Sequence, residues 1–301
     1  MRTGRFSKQW RLFWPLALLC LISGSRWLLE NAVPAAQSSS LSAAGGCALA
    51  AMLLLFCLWA KRKHASRTPE ACVGRLPWRT VSAGVLVLTA PALSGLLAGR
   101  HISGSAGTLA LALTPVVAAV AAAACGAENG GVAGLLWPGL AGLAGLLLLL
   151  PEPDLSGWRM DAALVAMPLL AGGGAAIVGQ NGNTKDHEHA AKGVRLEFWV
   201  LQTLGASAIV FLLIHLTTGR GEAWTFPLAD LLADGFSFAM SVFVLLRMGP
   251  LRWSAQFLLL PLVTLLEGVM FLRPSLTARS WTGLLLIAIG GVYLLVERPN
   301  D

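Results

Sequence analysis

The chain has 301 residues, of which 56% are hydrophobic and only 12% charged, and its mean hydropathy is +0.70. Soluble domains carry about 25% charged residues, so a water-soluble globule of this size is excluded and lipid has to solvate most of the surface. The formal net charge of +7 does not point to nucleic acid, because the lysines and arginines sit between apolar runs, as loop charges do.

Hydrocarbon offers no hydrogen-bond partners, so a spanning segment is a helix or part of a closed barrel. The apolar runs are continuous rather than alternating and roughly 17–22 residues long, which selects helices. In chain order, ten spans are predicted: 12–30, 41–60, 80–98, 105–125, 130–150, 160–180, 196–217, 227–247, 252–271 and 279–297. The first has a second reading. MRTGRFSKQWR followed by LFWPLALLCLISG, with Val33-Pro34-Ala35 as a small-residue site, also fits a cleaved signal peptide, whose removal would leave nine spans. Connections are short, apart from the basic stretch 61–79 and the polar stretch 181–195. The latter holds His187-Glu188-His189, which reads as a solvated loop because no other ligand cluster accompanies it. The five cysteines (Cys20, Cys47, Cys57, Cys72, Cys125) contain no C-x-x-C pair and read as unpaired small hydrophobes. Glycine and alanine crowd the spans, as in GGVAGLLWPGLAGLAG (130–145) and AGGGAAIVG (171–179). Small residues let helix backbones approach closely in lipid.

Of the 22 Lys and Arg residues, sixteen fall on one side of this arrangement and five on the other, with Arg26 inside a span. The positive-inside rule makes the richer side cytoplasmic and both termini internal, as an even number of spans requires. A bacterial-type inner (plasma) membrane is expected.

A repeat runs through the hydrophobicity. LALALTPVVAAVAAAA (109–124) is followed by GLLWPGLAGLAGLLLLL (134–150), and FLLLPLVTLLEGVMFL (257–272) by GLLLIAIGGVYLLV (283–296). Pro115 matches Pro261, and Gly134 and Gly142 share the spacing of Gly283 and Gly291. Ten spans divide into two units, 1–155 and 156–301. Because each unit has an odd number of spans, the second starts on the opposite face and the two are inverted relative to each other. The predicted fold is therefore an all-α integral membrane protein with ten transmembrane helices in two inverted five-helix repeats. An embedded, internally duplicated chain of this kind points to passage of something across the bilayer.

At these residues the chain resembles the drug/metabolite transporter superfamily, in particular its EamA-like ten-helix members. That family repeats a five-helix unit with a central proline in its fourth helix, a polar break often holding Gly-Glu, and a glycine-rich fifth helix. The segment 113–142, with Gly126 and Glu128 at the break, is similar to the end of the first unit, and 247–291 to the end of the second. The opening SGSRWLLENAVPA (23–35) resembles the family's first helix. The second break, Leu272-Arg273-Pro274-Ser275, lacks Gly-Glu, and Gly172-Gly173-Gly174 replaces the usual aromatic at the start of the second unit. The resemblance implies outward transport of a small metabolite by proton coupling, exchange or facilitated diffusion.

An ionisable group within a span costs at least about 2.5–3.5 kcal/mol, so each one needs a reason. Arg26 and Glu30, four apart on the first span, read as an intrahelical ion pair or as a substrate site at a cavity mouth. Asp230, Asp234, Ser237 and Ser241 form one stripe on the eighth span, with Asp234 roughly 10 Å below the outer end. The stripe either lines a wet cavity or forms a hydrogen-bonding helix seam. Glu267 is a candidate protonatable group or a partner for Arg273. Gln202 and Thr203 line the inner cavity or bond to neighbouring helices, and His215 is expected at the interface. Pro115 and Pro261 are candidate helix breaks, each freeing a carbonyl in mid-helix. The expected substrate-binding set is Arg26, Glu30, Gln202, Asp234, Ser237, Ser241 and Glu267.

No Walker, EF-hand or dinucleotide motif occurs, and neither a cofactor nor a metal is expected. The expected function is secondary transport of a small polar or amphipathic metabolite by alternating access, with protons as a candidate coupling ion and lipid as the solvent. The alternative is an integral membrane enzyme without transport activity.

Overall fold

Every regular element among the described residues is helical. The structure is a computed structural model that describes residues 3–25, 40–64, 78–99, 102–124, 132–150, 157–182, 192–218, 228–272 and 277–296. Among the described residues twelve helices follow one another: α1 (Thr3–Gly24), α2 (Ser40–His64), α3 (Trp78–Ala98), α4 (Gly104–Ala112), α5 (Thr114–Ala124), α6 (Val132–Leu149), α7 (Trp158–Gly182), α8 (Lys192–Thr218), α9 (Leu228–Met248), α10 (Pro250–Ser254), α11 (Gln256–Leu272) and α12 (Ala278–Val296). Eight helical segments among the described residues are long and apolar enough to cross a membrane, two of them combining α4 with α5 and α10 with α11. The apolar parts of α1 and α6, Phe13–Gly24 and Leu136–Leu149, are shorter. Val33-Pro34-Ala35, Gly126, Glu128, His187-Glu188-His189 and Arg273 lie outside the described residues.

The spans that carry Pro115 and Pro261 are each interrupted, but not in the same way. In the fourth predicted span the interruption is Leu113, whose N–H reaches back three residues to Ala110 O at 3.1 Å. Pro115 then occupies the first turn of α5, where a missing N–H costs no helical bond. In the ninth predicted span the interruption is Ala255, with the short-range bonds Ala255 N–H to Arg252 O (3.2 Å) and Leu258 N–H to Ala255 O (3.1 Å). Pro261 itself lies inside α11. A proline ring crowds the carbonyl four residues earlier, and here the adjustment is taken up by the tightened turn upstream, while the helix runs on through Pro261.

Helix pairing is set by glycine. A Cβ placed on Gly145 would lie 2.6 Å from Gly283 O, and one on Gly290 would strike Pro138 O and the backbone of Gly142. Because the earlier residue of α6 meets the later residue of α12, these two helices run antiparallel. Helices α2 and α8 are antiparallel by the same logic: Ser40 meets His215 at one end, while Phe56 and Trp59 share a groove with Phe198 and Leu201 at the other. A further close crossing joins Gly46 of α2 to Gly235 of α9, where a Cβ on Gly235 would sit 2.6 Å from Gly46 O. Helix α3 packs on α7 and α8, α1 on α9 and α11, and α5 on α7.

The largest buried cluster joins these helices around Trp199, Trp253, Phe211, Leu16, Leu204 and Leu245, and a second gathers Leu109, Leu146, Leu258 and Ile287. Large apolar side chains also point outward, among them Met270 at 74%, Ile209 at 62% and Leu285 at 62% exposure. Exposed apolar surface on this scale fits a lipid solvent, in which dispersion and close backbone packing, not water exclusion, hold the helices together.

Candidate functional site

Helix α9 carries the predicted polar stripe, and three of its four members, Asp234, Ser237 and Ser241, are bonded to three different helices. Asp230 and Asp234 are buried, at 2% and 3% exposure. Ser42 Oγ of α2 donates to Asp234 Oδ2 at 3.0 Å. Gly46 makes this possible, since a Cβ there would fall 2.7 Å from Asp234 Cβ and 2.8 Å from Gly235 N. The backbone of α2 thus closes over the carboxylate, and the hydroxyl one turn earlier compensates part of its desolvation. Among the described residues Asp230 Oδ2 has no hydrogen-bond partner. His215 is buried against the protein at 3% exposure, with Nδ1 3.4 Å from Ser40 Oγ.

One and two turns further along the stripe, Ser237 and Ser241 are half-buried. Ser23 Oγ of α1 donates to Ser237 Oγ at 3.1 Å. Trp253 Nε1 of α10 donates to Ser241 Oγ at 3.0 Å, and its ring meets Phe257 edge-on at 5.1 Å. Trp253 is 1% exposed, so Trp253→Phe is expected to destabilise the protein by about 2 kcal/mol, from one lost hydrogen bond and the vacated volume. Thermal unfolding of the purified protein in detergent checks this.

Glu267 of α11 is half-buried and accepts a hydrogen bond from Ser25 Oγ at 2.5 Å. Thr264, one turn earlier, donates to Gly24 O at 3.3 Å. The C-terminal end of α1, the middle of α9 and the second half of α11 therefore share a band of hydroxyl and carboxyl groups. The stripe Asp234–Ser237–Ser241 forms one edge of this band and Glu267 the other. Arg26 and Glu30, which follow directly on α1, lie outside the described residues.

On α8, Gln202 is exposed while its neighbour Thr203 is fully buried. Thr203 belongs to a series with Trp199 and Ser207, one residue per turn. All three have a buried polar atom without a hydrogen-bond partner among the described residues. Trp199 and Thr203 close on Gly84 of α3, where a Cβ would lie 3.0 Å from Trp199 Cζ2 and 2.9 Å from Thr203 Cγ2. The i, i+4, i+8 spacing of these groups was a signal available in the sequence. Nothing in the sequence marked Ser42, whose importance comes from the helix that happens to cross it.

Among the described residues, no three His, Cys, Asp or Glu side chains come together as a metal site would require. The arrangement can accept and donate hydrogen bonds and can hold or release a proton at a carboxylate.

No protein-family model and no curated protein matches the chain by sequence. One solved structure, described as "Crystal structure of protein", superposes with a TM-score of 0.69 at 15% sequence identity, covering 95% of this chain and 98% of that one. The two share a fold end to end. The helices define an all-helical architecture that fits a multi-pass membrane protein.

Proposed function

We propose that this protein is a secondary transporter of the drug/metabolite type, with ten spans arranged as two inverted five-helix repeats. It moves a small polar or amphipathic metabolite outward by alternating access between the halves. The observation that carries this reading is the packing of equivalent helices. If spans one to five correspond to spans six to ten, α2 corresponds to α8 and α6 to α12, and each of these pairs packs antiparallel, as inversion demands. The helix neighbours also exchange correctly: α3 on α7 becomes α9 on α1, α3 on α8 becomes α9 on α2, and α5 on α7 becomes α11 on α1.

Individual residues support the same correspondence. A Cβ on Gly24 would meet Val263 and Thr264, and one on Gly172 would meet Val117 and Ala118. Aligning Pro115 with Pro261 places Val117 on Val263 and Ala118 on Thr264. Two glycine contacts separated by half the chain thus fall on matching residues. Within this frame the band on α1, α9 and α11 is the polar path. Asp234 and Glu267 are its carboxylates, and Ser237 and Ser241 are hydrogen-bonding groups for the substrate or for the moving interface. Gln202, Arg26 and Glu30 complete the proposed set.

Purified protein in proteoliposomes, challenged with a panel of small metabolites with and without a pH gradient, tests the proposal. Saturable flux of at least one metabolite is expected, with acceleration by the gradient if protons couple. Chemical turnover of a metabolite without its translocation would favour the membrane-enzyme alternative and overturn the proposal.

A further inference from the structure

Between α2 and α8 the surface opens into an apolar groove of about 490 Å³, within the size range of small-ligand clefts. Its walls are Met52, Leu55, Phe56, Leu58 and Trp59 from α2 and Phe198 and Leu201 from α8. Four of the five α2 residues, Met52, Leu55, Phe56 and Trp59, follow the i, i+3, i+4, i+7 series of one helix face, and Leu58 flanks it. The aromatic pair is exposed, Phe56 at 63% and Trp59 at 57%, and the two rings stand 6.0 Å apart. From Met52 to Trp59 the groove runs about 10 Å along α2, which is contained within one leaflet of a hydrocarbon core about 30 Å thick.

The series on α2 does not stop at Trp59. Arg62 and Lys63 stand three and four residues further on the same helix, beside Lys61. On α8, Arg195 precedes Phe198 by three residues and Lys192 opens the helix. Because α2 and α8 run antiparallel, both basic ends lie at the same end of the groove. One acidic residue, Glu197, accompanies them in the opening of α8. An apolar trough one leaflet deep, with five basic residues in the helix turns that continue past one end of it, matches one occupant: an anionic membrane phospholipid. We propose that this groove is a binding site for such a lipid, with an acyl chain along the α2–α8 cleft and the phosphate at the basic end that holds Arg62, Lys63 and Arg195. Charge complementarity selects an anionic headgroup over a zwitterionic one, since basic clusters at the end of a membrane helix attract anionic lipid. The trough rather than the charge alone fixes the location. By the positive-inside rule this is the cytoplasmic leaflet.

The test uses the full chain in detergent, with phosphatidylglycerol and phosphatidylcholine of identical acyl chains added in equal amounts and adducts counted by native mass spectrometry. A roughly tenfold excess of phosphatidylglycerol adduct is expected. R62A/K63A/R195A should reduce the excess to about twofold or less, and L55W/L201W, which fills the trough, should remove the adduct of either lipid. Equal adducts of the two lipids, or an excess that survives both variants, overturns the proposal. A dimer that forms in place of the adduct also overturns it and assigns the groove to a second copy of the chain. A phosphatidylglycerol carrying a photoreactive acyl chain provides the check on unaltered protein: labelling within 52–59 and 198–201 supports the site, and labelling confined to other helices refutes it.

Discussion

Replacing Asp234 by Asn is expected to reduce gradient-driven flux by about a hundredfold or more, the scale on which a positioned proton-transfer group contributes, while leaving the folded protein intact. Asparagine keeps the shape of aspartate and an oxygen to accept the hydrogen bond from Ser42 Oγ, which lies 3.0 Å from Asp234 Oδ2. It also fits the space against Gly46 and Gly235. What it removes is the charge and the capacity to take up a proton. Ser42→Ala makes the opposite change. It leaves the carboxylate and deletes one donor, so about 1 kcal/mol of stability should be lost, with flux reduced much less than in Asp234→Asn. Flux in proteoliposomes and unfolding in detergent, measured on both variants, separate the two roles. If Asp234→Asn transports at the native rate, the carboxylate only seals the seam between α2 and α9 and has no part in transport.

Gly145→Leu is expected to cost at least about 3 kcal/mol and to reduce the yield of folded protein sharply. A Cβ alone at this position would lie 2.6 Å from Gly283 O, 2.8 Å from Ile287 Cγ1 and 3.0 Å from Ile287 N. Two of those atoms belong to the backbone of α12 and cannot rotate away, so the helices would have to separate. In lipid no hydrophobic force returns them to contact, and the dispersion lost along the crossing is not recovered elsewhere. Gly205→Ala is the matched control. Among the described residues, nothing beyond its own turns of helix lies within 4 Å of a Cβ at that position, so alanine should be neutral or stabilise the helix by up to about 1 kcal/mol. Fluorescence-detected size-exclusion after a heating series reads both variants. A Gly145→Leu protein as stable as the native chain would mean that α6 and α12 do not meet as described.

The band of candidate residues was partly legible in the order of the residues. An acid or a run of hydroxyls stands out on an apolar helix because burying it in a bilayer is costly, and this marked Asp234, Ser237, Ser241 and Glu267. Their partners were not legible. Ser23, Ser25 and Ser42 are small residues of a kind scattered through many spans, and they matter because α1 and α2 cross α9 and α11 at those heights. Gln202 and Thr203 show the limit most clearly. Neighbours in sequence and both polar, one is exposed and the other is sealed against Gly84. His215 is buried for a similar reason, since α2 begins beside it.

Composition and the length of the apolar runs by themselves pointed to a set of helices fit for lipid, because a backbone in hydrocarbon has to satisfy its own hydrogen bonds, and the helical structure fits that reading. The spacing of the prolines and glycines supplied the pattern on which the proposed two-unit reading rests. Which helix lies against which, and which face of each looks inward, was decided only by the tertiary structure. In water, a helix advertises its buried face by contrast between apolar and polar sides. In a bilayer both sides are apolar, so that contrast vanishes, and the choice falls to contacts between glycine backbones that can be recognised only once the helices are brought together.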